Sequence, residues 1–192
     1  MPSVLQRRRV AFLPGYYVYR IHRGIAKYAA EHRWILDSSM AISGQVPENW
    51  QGDGIISYLA RREDVDKKIE SCGVPTVDLS YRPNRFGAPR VFHDNVLIGR
   101  MAGEHLLSQG FRDIGYVGYW EGYNDTERMA GLKEIVIGAG RHFHELHWEK
   151  IEEELSALPR PLALMIQNDY LAVTLLQKLE DLGVRVPEEV AV

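Results

Sequence analysis

The sequence holds a single cysteine, Cys72, in 192 residues. No internal disulfide framework is possible, and a lone cysteine between Ser71 and Gly73 reads as a small packing residue rather than a nucleophile. Positive charge is not in excess either. Against 26 Asp and Glu stand 23 Lys and Arg, a net charge of −3, so nothing draws the chain to nucleic acid or to an anionic membrane. No apolar run approaches the roughly 18 residues of a membrane span. The opening Met1-Pro2-Ser3-Val4-Leu5-Gln6-Arg7-Arg8-Arg9 is basic but lacks the apolar stretch of a signal peptide. These absences predict a cytoplasmic protein with no membrane partner. Motifs of catalysis are missing too: there is no Gly-x-Ser-x-Gly elbow, P-loop or Cys-x-x-Cys pair. Gly138-Ala139-Gly140 follows a helical pattern rather than a strand, and Phe143 stands where a dinucleotide fingerprint needs its third glycine. The reading is a protein that is no enzyme and needs no cofactor.

What is present is an alternation of short apolar runs and helical patterns. Val10-Ala11-Phe12-Leu13, closed by Pro14-Gly15, reads as a buried strand. Ile21, Ile25, Tyr28 and Ala29 follow at helical spacing, and Trp34-Ile35-Leu36 and Gly54–Tyr58 resume as strands. A charged helix is expected from about Glu63 to Ser71, then a strand over Val74–Leu79 that Pro75 pushes toward an edge. A short strand is expected over Pro89–His93. Ile98, Met101, Ala102 and Leu106 mark a helix ending near Gly110; Ile114–Gly118 is a strand; Met129, Leu132 and Val136 line the next helix. After Leu162–Ile166, a last helix carries Ala172, Leu175, Leu176, Leu179 and Leu182 to Gly183, and Val190-Ala191-Val192 opens a further strand. Residues 38–51 read as a long polar loop. Such alternation predicts an α/β fold with parallel sheets flanked by helices.

In open α/β sheets, ligands lie outside the carboxyl ends of the strands. The residues placed there are Tyr16, Tyr17, Tyr58, Asp94, Asn95, Trp120, Asn168 and Asp169, with Arg128 at the start of the helix after Ile114–Gly118. Aromatic faces beside carboxylates, amides and one guanidinium suit a sugar, whose C–H faces stack while its hydroxyls both donate and accept. Each residue has a plainer reading. Asp94 or Asn95, and Asn168 or Asp169, can be helix N-caps, the aromatics half-buried packing, and Arg128 a solvated helix residue. Only recurrence at several strand ends favours binding. Asp94 and Asp169 could be proposed as an acid–base pair, but nothing sets their pKa values apart. His142, His144, Glu145 and His147 crowd one stretch without the metalloprotease spacing. They read as a solvated strand or loop in which His142 and His144 share a face, and no metal site is assigned.

Three stretches resemble a known family. They are Arg23–Ala29; His93-Asp94-Asn95 with Gly99–Leu107 and Gly110-Phe111-Arg112; and Gln167-Asn168-Asp169 with Gly183–Val192. Together they look like the LacI/GalR-type sensor domain. The resemblance implies a two-lobed, type I periplasmic-binding-protein-like fold, with lobes of 7–109 and 110–192, the second incomplete. Thr126–Leu132 is similar to the helix start whose arginine holds a ligand hydroxyl in that family. Trp50–Ile56 points to the XylR branch, which joins this sensor to an AraC-type DNA-binding domain. It implies a transcription regulator that binds D-xylose or a similar sugar in an interlobe cleft. DNA would be read only by a helix-turn-helix domain outside this chain, and the assembly would be a homodimer. The alternative sharing the fold is the solute-binding receptor of a sugar transporter.

Overall fold

A computed structural model describes residues 7–58, 62–81, 86–119 and 123–192, the side chains of residues 123 and 124 excepted. The contacts divide the chain into two units, Met1–Phe92 and His93–Val192. No helix among the described residues is long and apolar enough to cross a membrane.

The first unit runs β1 (Arg9–Pro14), α1 (Tyr19–Glu31), β2 (Ile35–Asp37), α2 (Ser39–Ser43), β3 (Gly54–Tyr58), α3 (Glu63–Cys72) and β4 (Thr76–Asp78). Its strands form one parallel sheet in the order β2-β1-β3-β4, with Phe12 opposite Ile56. β1 is buried from Val10 to Pro14, as a strand covered on both faces must be. Ala11, Leu13 and Ile55 pack on one face against Val65 and Ile69 of α3, with Met40 and Trp50. On the other face Phe12 lies 5.3 Å from the His22 ring of α1. The stretch expected as a polar loop therefore holds a short helix and two core anchors, Met40 and Trp50, which polar neighbours hide from a periodicity reading. α3 carries Glu63, Asp64 and Asp66 in its first turn, favourable for the helix dipole, and ends at Gly73 in the left-handed conformation. The strand expected over Pro89–His93 shrinks to one bridge, Asp78 to Arg90. β4 is itself three residues long and Pro89 has no N–H to donate, so the ladder stops there.

The second unit runs α4 (Asn95–Ser108), β5 (Asp113–Gly118), α5 (Tyr123–Gly138), β6 (His142–His147), a 3-10 turn (Trp148–Lys150), α6 (Ile151–Ala157), β7 (Leu162–Ile166), α7 (Asp169–Asp181) and β8 (Val190–Ala191). Its sheet is parallel in the order β6-β5-β7-β8, the same pattern as the first. Alternation along the strands sorts the core. Val117, Leu146, Leu162 and Leu164 pack against Ile151 and Leu155 of α6 and Leu171, Leu175 and Leu179 of α7. Ile114, Tyr116 and Ala163 face Leu132 and Val136 of α5. Each such buried aliphatic side chain contributes roughly 1.5–3 kcal/mol.

The division between units differs from the expected one after Gln109: α4 belongs to the second unit. The reason is a glycine crossing with α5. A Cβ on Gly99 would sit 1.9 Å from the Arg128 carbonyl oxygen, and one on Gly131 would sit 2.1 Å from the Val96 carbonyl oxygen. Backbones this close join the helices into one packed layer.

Candidate functional site

The strand order places a topological switch point between β1 and β3 in the first unit and between β5 and β7 in the second. In the first, Gly15 N–H donates to the Tyr58 carbonyl at 2.7 Å, tying the two strand ends together. Tyr16 is 64% exposed there. Tyr17 is exposed as well, its hydroxyl 3.2 Å from His22 Nδ1. The Tyr58 phenol is pushed up by burial and by the nearby Tyr81, Tyr16 and Asp78. Behind this cluster Asp78 is fully buried: Ser57 Oγ and Ser80 N–H donate to Oδ1 at 3.3 and 3.2 Å, and Ser80 Oγ donates to Oδ2 at 2.6 Å. A carboxylate so well supplied with donors stays satisfied out of water.

In the second unit the predicted residues separate into two groups. Asp94 Oδ1 accepts from Leu97 N–H at 2.9 Å and Asn168 Oδ1 from Leu171 N–H at 2.9 Å, so both cap the helices they precede. Asp169 is exposed in the first turn of α7. Trp120 lies outside the described residues. Asn95 and Arg128 instead join a network at the switch point. Arg128, in the second turn of α5, donates from Nε to Asn95 Oδ1 at 3.0 Å and from Nη1 to the Gln167 carbonyl at 2.7 Å. Asn95 donates in turn to Glu127 Oε2 at 3.2 Å. Arg128 is therefore not a solvated helix residue. Among the described residues its Nη2 has no hydrogen-bond partner.

Three members of this network were not singled out as site residues: Tyr116, Asp125 and Gln167. Asp125, fully buried, accepts from Tyr116 Oη at 2.8 Å and from Gln167 Nε2 at 2.6 Å. Burial pushes the Asp125 carboxyl above its ordinary value, partly opposed by the Tyr116 hydrogen bond and the Arg128 charge. Burial and the Asp125 carboxylate push the Tyr116 phenol far up, so it stays a donor. The available signal was a tyrosine within an otherwise small and apolar strand, since a buried hydroxyl demands a partner.

The histidine stretch forms edge strand β6. His142 Nδ1 and His144 Nε2 lie 3.1 and 2.9 Å from Asp113 Oδ1, on one face as the alternation requires. Burial raises the Asp113 pKa, but hydrogen bonds from the two imidazoles outweigh it and hold the carboxyl below its ordinary value. Among the described residues no group of three or more candidate ligands is arranged to hold a metal ion. A groove of about 980 Å³ lies between the 43–49 segment and α3 in the first unit. Its cations are already engaged: Arg62 with Asp64 and the Gly44 carbonyl, Lys67 with Glu63, Lys68 with the Glu48 carbonyl. Its lining does not include the strand ends.

Residues 104–192 match the family of periplasmic binding protein-like domains. The chain has the fold of the periplasmic-binding-protein-like domain of LacI-type regulators. The HTH-type transcriptional regulator CelR of Thermobifida fusca is 28% identical over 158 residues, 73% of this chain and 46% of CelR. The HTH-type transcriptional repressor PurR of Vibrio parahaemolyticus is 25% identical over 132 residues, 62% of this chain and 39% of PurR. The chain thus spans less than half the length of these curated relatives, which are transcription regulators rather than enzymes. Among solved structures, transcription regulator CcpA of Lactococcus lactis superposes with a TM-score of 0.65 at 22% identity, covering 96% of this chain and 77% of CcpA. The xylose-binding transcription activator xylR superposes with a TM-score of 0.72 at 20% identity, covering 97% of this chain and 53% of xylR. These likenesses bear on the LacI-type fold alone.

Proposed function

We propose that this chain is the effector-sensing domain of a bacterial transcription regulator and that its effector is a small sugar, D-xylose or a related pentose. The observation that carries the reading is Arg128. Two of its nitrogens are fixed by Asn95 and the Gln167 carbonyl, which leaves Nη2 at the strand ends where α/β sheets take their ligands. The candidate set in the second unit is completed by Asp94, Asn95, Asn168, Asp169 and Trp120; in the first unit Tyr16, Tyr17 and Tyr58 are the candidate aromatic faces for a sugar ring. The named relatives favour a regulator over a transport receptor. A periplasmic binding protein/LacI transcriptional regulator from Alkaliphilus metalliredigens, at 18% identity and a TM-score of 0.60, is complexed with D-xylulofuranose, which supports a five-carbon sugar as the effector. The narrower XylR assignment rests on the residue resemblance; the curated relatives are HTH-type transcription regulators. Operator DNA would be read by a separate helix-turn-helix domain of the protein, in a homodimer. The sugar would shift the sensor's conformational equilibrium by its differential affinity for two states.

The test is calorimetric titration with D-xylose, followed by a thermal-shift panel of aldopentoses and hexoses. A charged hydrogen bond contributes about 1.5–3 kcal/mol, so Arg128→Ala is expected to weaken binding by roughly 10- to 150-fold while the circular dichroism spectrum is unchanged. Wild-type-like titration by Arg128→Ala overturns the site assignment.

A further inference from the structure

We propose that Asp125, acting through Gln167, is a positioning residue that fixes the Arg128 guanidinium at the carboxyl ends of β5 and β7. The purpose given to Arg128 rests on the sugar-sensing reading; the geometry does not.

An acidic residue in the first turn of a helix ordinarily accepts from the helix's own N–H groups. Asp125 does not. Among the described residues its oxygens are taken by two side chains from outside α5: Tyr116 of β5 on Oδ1 and Gln167, just after β7, on Oδ2. It therefore clamps the two strands that flank the switch point rather than capping its own helix.

Gln167 carries the constraint onward. Its Nε2 is held by Asp125 at 2.6 Å, its Oε1 accepts from Tyr119 N–H at 3.4 Å, and its main-chain N–H donates to the Val117 carbonyl at 2.9 Å. With both ends of the residue fixed, its carbonyl has one direction, and that carbonyl accepts Arg128 Nη1 at 2.7 Å. Asn95 fixes Nε from the other side at 3.0 Å. A planar guanidinium held at two nitrogens has one orientation, so Nη2 is presented without the ordering cost that a mobile arginine meets on binding.

The test follows the Arg128 Nε–H by NMR of the ¹⁵N-labelled chain, the resonance being assigned by its loss in Arg128→Lys. In the wild type its exchange with water is expected to be about tenfold slower or more than that of exposed arginines such as Arg23. Asp125→Asn and Gln167→Met should each remove most of that protection. Tyr116→Phe, which leaves Asp125 and Gln167 paired, should keep it. Where Asp125→Asn fails to fold, Gln167→Met carries the test. Unchanged protection in folded variants of both overturns the proposal and leaves Asp125 a purely structural residue. Calorimetry with D-xylose on the same samples separates the two readings. Protection that depends on Asp125 in a wild-type chain indifferent to the sugar panel sinks the sensing assignment and not this one.

Discussion

Replacing Gly99 by alanine should destabilise the second unit, and the same replacement at Gly24 should stabilise the first. Both glycines lie inside helices, so both gain alanine's propensity, about 0.8–1 kcal/mol. Around Gly24 an added Cβ meets nothing within 4 Å, and the gain stands alone. Around Gly99 it meets the Arg128 carbonyl oxygen at 1.9 Å, the Arg128 carbonyl carbon at 2.9 Å and Leu132 N at 2.8 Å. An ordinary carbon–oxygen contact needs roughly 3.3 Å. All three obstacles are helix backbone, so no rotamer change relieves them and α4 must withdraw from α5 by over 1 Å. Overpacking of this kind costs roughly 1–3 kcal/mol, occasionally more, and here it falls at the upper end. The net expectation is a loss of about 1–2 kcal/mol for Gly99→Ala against a gain of about 0.8–1 kcal/mol for Gly24→Ala. Urea unfolding followed by circular dichroism reads both as opposite shifts of midpoint. In a unit of this size, 1 kcal/mol also moves the thermal midpoint by about 4–8 °C when the unit unfolds on its own. A Gly99→Ala midpoint at or above wild type would refute the argument that backbone contact at the glycine crossing holds α4 in the second unit. Because the obstructing carbonyl belongs to Arg128, the variant should also weaken any ligand that Arg128 holds.

The helix caps and the acid limb of stability give two more expectations. Asn168→Ala removes the acceptor for Leu171 N–H and should cost about 1 kcal/mol of unfolding free energy, whereas Asn168→Asp should keep it; equal losses in the two would refute the cap. Asp113, held below its ordinary value by His144 and His142 against the opposing effect of burial, contributes stability at neutral pH that is lost as pH falls through its folded pKa, below the usual carboxylate range. Asp125, raised by burial, has the opposite sign: its contribution is fully present below the unfolded pKa and lost as pH rises through the folded one. The acid limb should therefore flatten in Asp113→Asn and steepen in Asp125→Asn, and urea midpoints measured from neutral pH down to about pH 3 check both.

The α/β class was legible because β1, β5 and β7 are buried on both faces and so read as unbroken apolar runs. Legibility failed where a short element depends on distant partners. α2 gains its hold from Met40, whose cluster includes Val65 and Ile69 more than twenty residues away. The segment after β4 pairs at a single residue because β4 is short, and no local pattern shows that. At the site, the sequence marked Asn95 and Arg128 but not what joins them. Asp125 stands three residues before Arg128, yet its partners are on β5 and beyond β7, and only the parallel register of those strands brings Tyr116 and Gln167 to it.

Capping and ligand binding are usually weighed as rivals for residues such as Asp94 and Asn168, but the geometry here makes them compatible. Each cap uses one oxygen: Asp94 gives Oδ1 to Leu97 N–H and Asn168 gives Oδ1 to Leu171 N–H. Among the described residues Asp94 Oδ2 and Asn168 Nδ2 have no other partner. A side chain already fixed by its cap has lost its rotamer freedom during folding, so a ligand meeting the remaining atom is spared the roughly 0.5–1.5 kcal/mol that immobilising a free side chain costs. The same logic governs Arg128, fixed by Asn95 and Gln167 with Nη2 left over. An acceptor at Asp94, a donor pair at Asn168 and a cationic donor at Arg128, each set in place by the fold, can match hydroxyls that both donate and accept. In the second unit, selectivity for such a ligand would come from the spacing of these fixed atoms more than from the strength of any one contact.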